Sequence, residues 1–157
     1  MRVVLDTSAI IYLNDFRRFE EILTVQEVVG EVKDKISSIK LSGLELKVVE
    51  PSKKVLDEIK NVARESGDLE KLSDTDLKVL AAAKENESEI ISDDRNIQNV
   101  AEKLGIKYVS VFNKKITKLI TWKNYCKSCK RFFEKKNCPV CGSKLARVPE
   151  NAVELNQ

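Results

Sequence analysis

Five aspartates lie where a chain of alternating strands and helices would bring them together. Asp6, Asp93 and Asp94 follow short apolar runs that are typical of buried strands, and Asp74 and Asp76 open a helix. Ligands of open parallel sheets bind outside the carboxyl ends of the strands, so we expect these carboxylates to share one crevice. Grouped carboxylates repel one another unless a divalent cation neutralises them, and oxygen-only ligand sets favour Mg²⁺ or Mn²⁺. The chemistry indicated is metal-assisted hydrolysis of a phosphodiester.

Each aspartate also has a purely structural interpretation. Asp6 could cap the helix that follows it, and Asp74 could stabilise the positive N-terminus of its own helix. Asp76 could close a capping box with Ser73, and either aspartate of the pair at 93–94 could cap the next helix. Residue type and spacing do not decide between these roles, so both stand as alternatives.

The four cysteines form two Cys-x-x-Cys pairs separated by eight residues, and they are Cys126, Cys129, Cys138 and Cys141. Two such pairs supply the four thiolates that Zn²⁺ binds in a tetrahedron, so the sequence predicts a ribbon with one structural Zn²⁺ per chain. The alternatives are two disulfides or a redox dithiol. An intracellular location disfavours disulfides, and the presence of two paired motifs disfavours a redox dithiol. Because four thiolates leave no position for water, we do not expect the catalytic centre here.

The region around the cysteines is strongly basic. Residues 1–106 hold 16 Lys and Arg against 22 Asp and Glu, whereas residues 107–147 hold 12 against one. Aromatic residues are interleaved with these cations, and cations for phosphates with flat rings for bases are what an RNA-binding surface needs. The rings could instead simply fill the small ribbon. The predicted RNA-binding residues are Lys123, Lys127, Lys130, Arg131, Lys135, Lys136, Lys144 and Arg147.

The composition limits both the residues that could carry out catalysis and the expected location of the protein. The 157 residues include no His, so catalysis has to rest on carboxylates, Lys, Ser, Thr or metal. No apolar run approaches the length of a membrane span. We therefore expect a soluble, cytoplasmic protein with no membrane partner.

Predicted strands and helices alternate along the first part of the chain, which indicates an α/β fold with a parallel sheet covered by helices on both faces. The stretch from Thr24 to Glu27 has the form of a capping box, and the apolar spacing after it predicts one helix to about Lys40. Glu27 and Glu31 both lie off the apolar stripe of this helix. Periodicity therefore leaves open which of them could join the aspartates.

The order of these acids resembles that of the PIN-domain nucleases. The residues that carry the resemblance are Asp6-Thr7-Ser8 after the first strand, Glu31 in a following helix, Ser73-Asp74-Thr75-Asp76 at the start of a helix rich in small residues, and Ser92-Asp93-Asp94 after a strand. A ribbon with four cysteines directly after such a domain is similar to the NIN-one-binding ribosome-maturation endonucleases, in a short archaeal-type form.

This resemblance implies a metal-dependent endoribonuclease that cleaves precursor small-subunit ribosomal RNA to form its mature 3′ end, with the pre-ribosomal small subunit as partner. Asp93 would be the alternative to Asp94 as the fourth acid, Ser8 would orient Asp6 by a hydrogen bond, and Asp74 would support the site. The acids that would hold the catalytic Mg²⁺ or Mn²⁺ are Asp6, Glu31, Asp76 and Asp94.

Two other functions stand as alternatives. A toxin-type PIN ribonuclease would share the acids but would ordinarily lack the ribbon, and a non-catalytic RNA-binding or scaffold module would not use the acids. The predicted segments are a PIN-like domain over 1–111, a linker over 112–122, the zinc ribbon over 123–149 and a loose tail over 150–157.

Overall fold

A parallel sheet of five strands forms the centre of the first domain in the computed structural model, which describes residues 1–112 and 115–155. They lie in the order β3-β2-β1-β4-β5, and every neighbouring pair is parallel. Leu5 pairs with Ile91, so the carboxyl ends of β1 and β4 lie side by side. The strands are β1 (Arg2–Leu5), β2 (Glu21–Thr24), β3 (Leu46–Val48), β4 (Glu89–Ile91) and β5 (Tyr108–Val109).

Helices cover both faces of this sheet. Val3, Val4 and Leu5 are all fully buried, although successive strand residues point to opposite faces. The α/β prediction is therefore confirmed. No helix in the described part of the chain is long and apolar enough to cross a membrane. The helices are α1 (Thr7–Tyr12), α2 (Gln26–Glu31), α3 (Lys35–Ser42), α4 (Lys53–Ser66), α5 (Asp74–Glu85) and α6 (Arg95–Lys103), with a short 3-10 helix at Leu69–Lys71.

The chain between α1 and β3 differs from the single helix that periodicity predicted. The helix is broken at residues 32–34 into α2 and α3, and Asp34 caps the second piece. The predicted capping box at 24–27 is wrong, because Thr24 belongs to β2 and its hydroxyl donates to the Leu5 carbonyl at 2.9 Å. The break makes Glu31 the last residue of α2, where its side chain can reach the end of the sheet.

A second sheet, antiparallel and of three strands, contains the cysteine region. It consists of β6 (Lys118–Cys126), β7 (Arg131–Phe133) and β8 (Ala146–Glu154) in the order β7-β6-β8. β6 begins inside the predicted linker, and β8 extends into the predicted loose tail, where Glu154 still pairs with Lys118. Residues 113–114 of the linker and 156–157 of the tail lie outside the described residues. Much of the predicted linker and tail therefore belongs to the antiparallel ladder between β6 and β8 in the second sheet.

A buried carboxylate holds the second sheet against the first domain. Asp68, which is fully buried, follows the left-handed turn at Gly67 that ends α4. It accepts hydrogen bonds from the Ser66 hydroxyl at 2.7 Å, the Asn99 amide group at 2.6 Å and the Arg147 guanidinium at 2.6 Å. Arg147 also donates to the Gly67 carbonyl at 3.2 and 3.3 Å. One carboxylate therefore connects α4, α6 and β8.

Close backbone contacts complete this domain interface, which we define as Gly67, Asp68, Asn99, Trp122 and Arg147. The Asn99 side chain donates to the Ile120 carbonyl at 2.8 Å and accepts from the Ile120 amide at 2.9 Å. The guanidinium of Arg147 lies 4.2 Å from the centre of the Trp122 ring. A Cβ atom on Gly67 would lie 2.2 Å from the Trp122 carbonyl oxygen, so only glycine fits there.

This interface corrects the role predicted for Arg147. We expected an exposed RNA-binding cation, but the structure pairs Arg147 with Asp68 and stacks it on Trp122. A cation that compensates a fully buried carboxylate is committed to that partner. Arg147 therefore has a structural role in joining the two domains.

We expect Arg147→Ala to lower the free energy of unfolding of the metal-loaded protein by about 3–5 kcal/mol, because it leaves Asp68 charged and buried without its cation. The matched control is Lys123→Ala, since Lys123 makes a half-exposed ion pair with Glu150. Removing that pair should cost about 1 kcal/mol or less. Urea titration measures both, and equal losses would contradict the assignment.

Candidate active site

An open cleft of about 340 Å³ lies at the carboxyl ends of β1 and β4, and we call it the acidic cleft. It contains five of the six acids that the sequence singled out, together with Thr7, Ser8 and Thr75. Asp74 is exposed and lies outside this lining, so the structure does not bring it into the cleft. The carboxylates that line the cleft are Asp6, Glu31, Asp76, Asp93 and Asp94.

Asp6 is both the N-cap of α1 and part of the cleft. Its Oδ1 accepts from the Ala9 amide at 2.7 Å and from the Ser8 hydroxyl at 2.8 Å. Burial raises the pKa of Asp6 most strongly, hydrogen bonds from Ser92, Ala9 and Ser8 lower it, and the charge of Asp76 raises it further. The structural and the site roles therefore coexist, and the prediction that Ser8 orients Asp6 fits this geometry.

Asp76 is held by the first turn of α5. Its Oδ2 accepts from the Ser73 amide at 2.7 Å and from the Ser73 hydroxyl at 2.8 Å, while its own amide donates to the Ser73 hydroxyl at 3.1 Å. The predicted capping box is thus confirmed. Burial raises the pKa of Asp76, its bonds to Ser73 lower it, and the negative charges of Asp94 and Glu31 raise it further. The acids are close enough to repel one another.

Glu31, rather than Glu27, faces the acidic cleft. The two oxygens of Glu31 accept from the hydroxyls of Thr75 at 2.6 Å and Thr7 at 2.5 Å. Glu27 is 2.5 Å from the Lys78 amino group, which neutralises it away from the cleft. Sequence reasoning did not assign Thr7 and Thr75, although each is the immediate neighbour of a site aspartate.

Asp93 and Asp94 both line the cleft, and each is held differently. Asp94 is the N-cap of α6 and its Oδ1 accepts from the Asn96 amide at 2.6 Å. Asp93 accepts through Oδ1 from the Ser110 hydroxyl and from the Phe112 amide, the latter at 3.2 Å. Within residues 1–112 and 115–155, the buried Oδ2 of Asp93 has no hydrogen-bond donor.

The donor set of the acidic cleft suits a divalent cation. Its described lining offers carboxylate and hydroxyl oxygens and contains no Lys or Arg. Hard cations such as Mg²⁺ bind carboxylate oxygens, and a cation would offset the burial and the mutual repulsion that raise the pKa of Asp6 and Asp76. The buried oxygen of Asp93 without a donor points to the same need for positive charge. The cleft can therefore support metal-assisted hydrolysis.

The four cysteines form a separate metal site. Their sulfur atoms all lie within 4.8 Å of one another, with Cys126 and Cys141 at 3.6 Å and Cys129 and Cys138 at 3.7 Å. Tetrahedral bonds of about 2.3 Å to a central ion would separate the sulfurs by roughly 3.8 Å. A disulfide requires about 2.05 Å, and all four cysteines are free. Hydrogen bonds with Ser143 lower the pKa of Cys141 to about 6, whereas hydrogen bonding to Cys141 and burial raise the pKa of Cys129 to about 12. A cation at the centre would therefore be needed for all four cysteines to be thiolates together.

Most of the cations predicted to bind RNA are exposed on the ribbon. Lys123 is also exposed but pairs with Glu150, whereas Arg147 is partly buried and pairs with Asp68. Tyr125 and Phe132 form a tilted pair with ring centres 5.0 Å apart, and Phe132 is exposed. The other exposed cations of this set are Lys127, Lys130, Arg131, Lys135, Lys136 and Lys144.

Comparison with known proteins defines the class of protein first. Residues 3–85 match the family model described as the PIN domain of ribonuclease. This match spans more than half of the chain and includes Asp6, Glu31 and Asp76 in the acidic cleft. The chain therefore belongs to the PIN-domain ribonucleases.

Its relatives narrow the family further. The chain is 42% identical over 148 residues to the endoribonuclease Nob1 of Archaeoglobus fulgidus. The aligned region covers 89% of this chain and 86% of that protein. It is 41% identical over 157 residues to the endoribonuclease Nob1 of Pyrococcus abyssi, with 95% and 94% covered. The chain thus belongs to the Nob1 endoribonuclease family, and the prediction of an endoribonuclease is confirmed. It is also similar to ribonuclease VapC1 of Thermoplasma acidophilum, at 34% identity over 151 residues with 94% and 78% covered.

The raised pKa of Asp6 predicts that its charge destabilises the metal-free protein. Because the folded-state pKa lies above the ordinary 3.8, the stability contributed by the neutral acid is complete below pH 3.8 and is lost as the pH rises through the folded-state value. Asp6→Asn stays neutral and keeps an acceptor for the Ala9 amide, so it should raise the free energy of unfolding at pH 7.

Thermal or urea unfolding in EDTA, measured from pH 3 to pH 8, tests this at acid and neutral pH. Asp74→Asn is the matched control, since Asp74 begins the same cluster of acids in sequence but is exposed outside the cleft. A loss of stability at neutral pH for Asp6→Asn alone would contradict the prediction.

Proposed function

We propose that this endoribonuclease cleaves precursor small-subunit ribosomal RNA to form its mature 3′ end, and that it acts in the cytoplasm on the pre-ribosomal small subunit. The observation that carries the proposal is the acidic cleft, where carboxylates from four separate segments of the chain meet beside the end of β1. Membership of the Nob1 endoribonuclease family supports this choice of RNA.

Asp6, Glu31, Asp76 and Asp94 are the acids that we assign to a catalytic Mg²⁺ or Mn²⁺, with Asp93 as the alternative to Asp94. The hydroxyls of Ser8, Thr7 and Thr75 support this assignment, because they hold Asp6 and Glu31 by hydrogen bonds. Groups that orient the carboxylates of a metal site contribute to affinity and activity without touching the ion.

The chain's own residues limit how the phosphodiester can be cleaved. The chemistry that a bound divalent ion supplies is charge neutralisation on the phosphate and activation of water. The chain contains no His, and the described cleft offers no Lys or Arg to activate the ribose 2′-hydroxyl. Water should therefore attack phosphorus, leaving a 3′-hydroxyl and a 5′-phosphate.

A toxin-type PIN ribonuclease is the second candidate, and the likeness to ribonuclease VapC1 favours it. Both candidates predict the same cleavage chemistry, so the substrate distinguishes them. The basic cysteine ribbon supports the ribosomal substrate, because its exposed cations suit a large structured RNA. A non-catalytic scaffold has less support, because each acid of the cleft is oriented by hydrogen bonds.

Incubation with RNA that spans the 3′ end of the small-subunit sequence, with Mg²⁺ or Mn²⁺, should yield one cut at that end with a 3′-hydroxyl. Asp6→Asn should abolish cleavage, and Ser8→Ala should slow it by about 10–100-fold because Ser8 only orients Asp6. End mapping and single-turnover kinetics measure these outcomes.

Asp74→Asn is the control and should cleave like the unmodified protein. Comparing Asp93→Asn with Asp94→Asn identifies the fourth acid as the one whose loss reduces activity more. A 2′,3′-cyclic phosphate product would contradict the mechanism. Cleavage of unrelated RNAs in preference to the ribosomal 3′ end would favour the toxin-type alternative.

We also propose that the cysteine site holds one structural Zn²⁺, because two buried and two more accessible thiols close a tetrahedron around one position. Native mass spectrometry should find one zinc per chain, and denatured protein should have the mass of the fully reduced chain. Cys138→Ser should release the zinc and weaken the ribbon sheet, whereas Ser128→Ala, between the first two cysteines, should retain it. Two intact disulfides would contradict this assignment.

A further inference from the structure

A second depression lies beside the acidic cleft, between α6 and the start of β6. Its volume is about 380 Å³, and we call it the basic groove. Arg95 and Asn96 line it from the first turn of α6, and Lys115, Thr117 and Lys118 line it from the opposite wall. These residues lie outside the segment 123–149 that was predicted to form the ribbon, and none of them was predicted from the sequence to bind RNA.

The groove has a net positive charge that is available to a ligand. Arg95, Lys115 and Lys118 are all exposed. Lys118 is 2.8 Å from Glu154, but both side chains are more than half exposed, so the pair is weak and readily exchanged. Asp68, a carboxylate in the described lining, is fully buried and already paired with Arg147. Three cations therefore face solvent along one open depression.

Two buried amides of α6 fix the wall opposite the helix. Gln98 is fully buried, and its side chain donates to the Ser92 carbonyl at 2.9 Å and accepts from the Ile116 amide at 2.9 Å. Asn99 holds Ile120 in the same way through both backbone groups. The positions of Lys115 and Lys118 are thus tied to the helix that begins at the acidic cleft, so the groove is preorganised.

The groove and the cleft both reach the start of α6, where Asp94 lines the cleft and the next residue, Arg95, lines the groove. When an RNA strand places one phosphate in the acidic cleft, the five carboxylates of the cleft repel the phosphates on either side of it. Cations beside the cleft offset this repulsion. We propose that the basic groove binds the sugar-phosphate backbone of a single RNA strand next to the scissile bond.

Binding of this kind is independent of base sequence. Lys and Arg neutralise phosphates, and the side chains of Asn96 and Thr117 offer further hydrogen-bond donors. The inference rests on ribonuclease activity but not on the choice of ribosomal RNA as substrate. The probe for its test is therefore an oligouridylate, which has no ribosomal sequence.

The test compares two triple variants in an Asp6→Asn background, which keeps the probe intact. One variant carries Arg95→Gln, Lys115→Gln and Lys118→Gln. The matched control removes the same charge from α4 with Lys53→Gln, Lys54→Gln and Lys60→Gln. Lys53 and Lys54 lie about 20 Å along α4 from its end at the domain interface, and Lys60 lies about 9 Å from that end. Fluorescence anisotropy at several salt concentrations gives the affinity and its salt dependence, and thermal melting checks the fold.

Each phosphate contact to a single strand contributes about 0.7 to the slope of log affinity against log salt, so the groove variant should lower that slope by about 2. The same relation predicts a loss on the order of 100-fold in affinity at 0.1 M salt. The control variant should keep the original slope. A groove variant that melts normally and keeps the original slope would overturn the proposal.

Cleavage mapping keeps this inference separate from the proposed function. With active protein, the groove substitutions should raise KM for any RNA and leave the position of the cut unchanged. Normal binding by the groove variant together with correct cleavage of the ribosomal 3′ end would reject RNA binding by the groove and leave the proposed function standing. Loss of binding by the groove variant, with no cut at the ribosomal 3′ end by the active protein, would reject the proposed ribosomal substrate but support RNA binding by the groove.

Discussion

The cost of burying several carboxylates side by side in the acidic cleft is the constraint on which the rest of the structure depends. Burial and neighbouring charge raise the pKa of both Asp6 and Asp76, so bringing these acids together opposes folding. The fold offsets this cost by giving the acids local donors. Asp6 and Asp94 accept helix amides as N-caps, Asp76 accepts from its capping box, and Glu31 accepts from two threonine hydroxyls. The structural and catalytic interpretations of the aspartates are therefore complementary, because capping is what orients each carboxylate.

Helices α4 and α6 also fix the position of the second domain. Gln98 connects the end of β4 with the start of the ribbon strand, and Asn99 and Asp68 hold that strand and Arg147 against α4. A buried charge pair is costly to break, so the ribbon has a defined position relative to the cleft. The protein consequently presents its cations in two places: along the basic groove next to the cleft and on the exposed face of the ribbon.

Much of the fold and site could be predicted from sequence because the signals are local. An apolar run that stops at Asp6 marks a strand end, and two Cys-x-x-Cys pairs mark a metal site. The sequence-based predictions were wrong where a contact with a residue distant in sequence overrides the local sequence pattern. Thr24 has the sequence of a helix cap, yet its hydroxyl bonds to the carbonyl of Leu5 in the neighbouring strand. Arg147 lies in a basic stretch that is typical of RNA binding, yet its partner is 79 residues away.

The sequence by itself determined the α/β class, the acids available for catalysis and the four thiols of the ribbon, because each depends on residue type and short spacing. Only the tertiary structure decided between Glu27 and Glu31, since one meets Lys78 and the other meets Thr75, and neither partner is near in sequence. It also decided that α6 supplies both a cleft acid and a groove cation. These outcomes depend on which side chains the packed sheet brings together, and side-chain contacts between distant segments form only when the chain is folded.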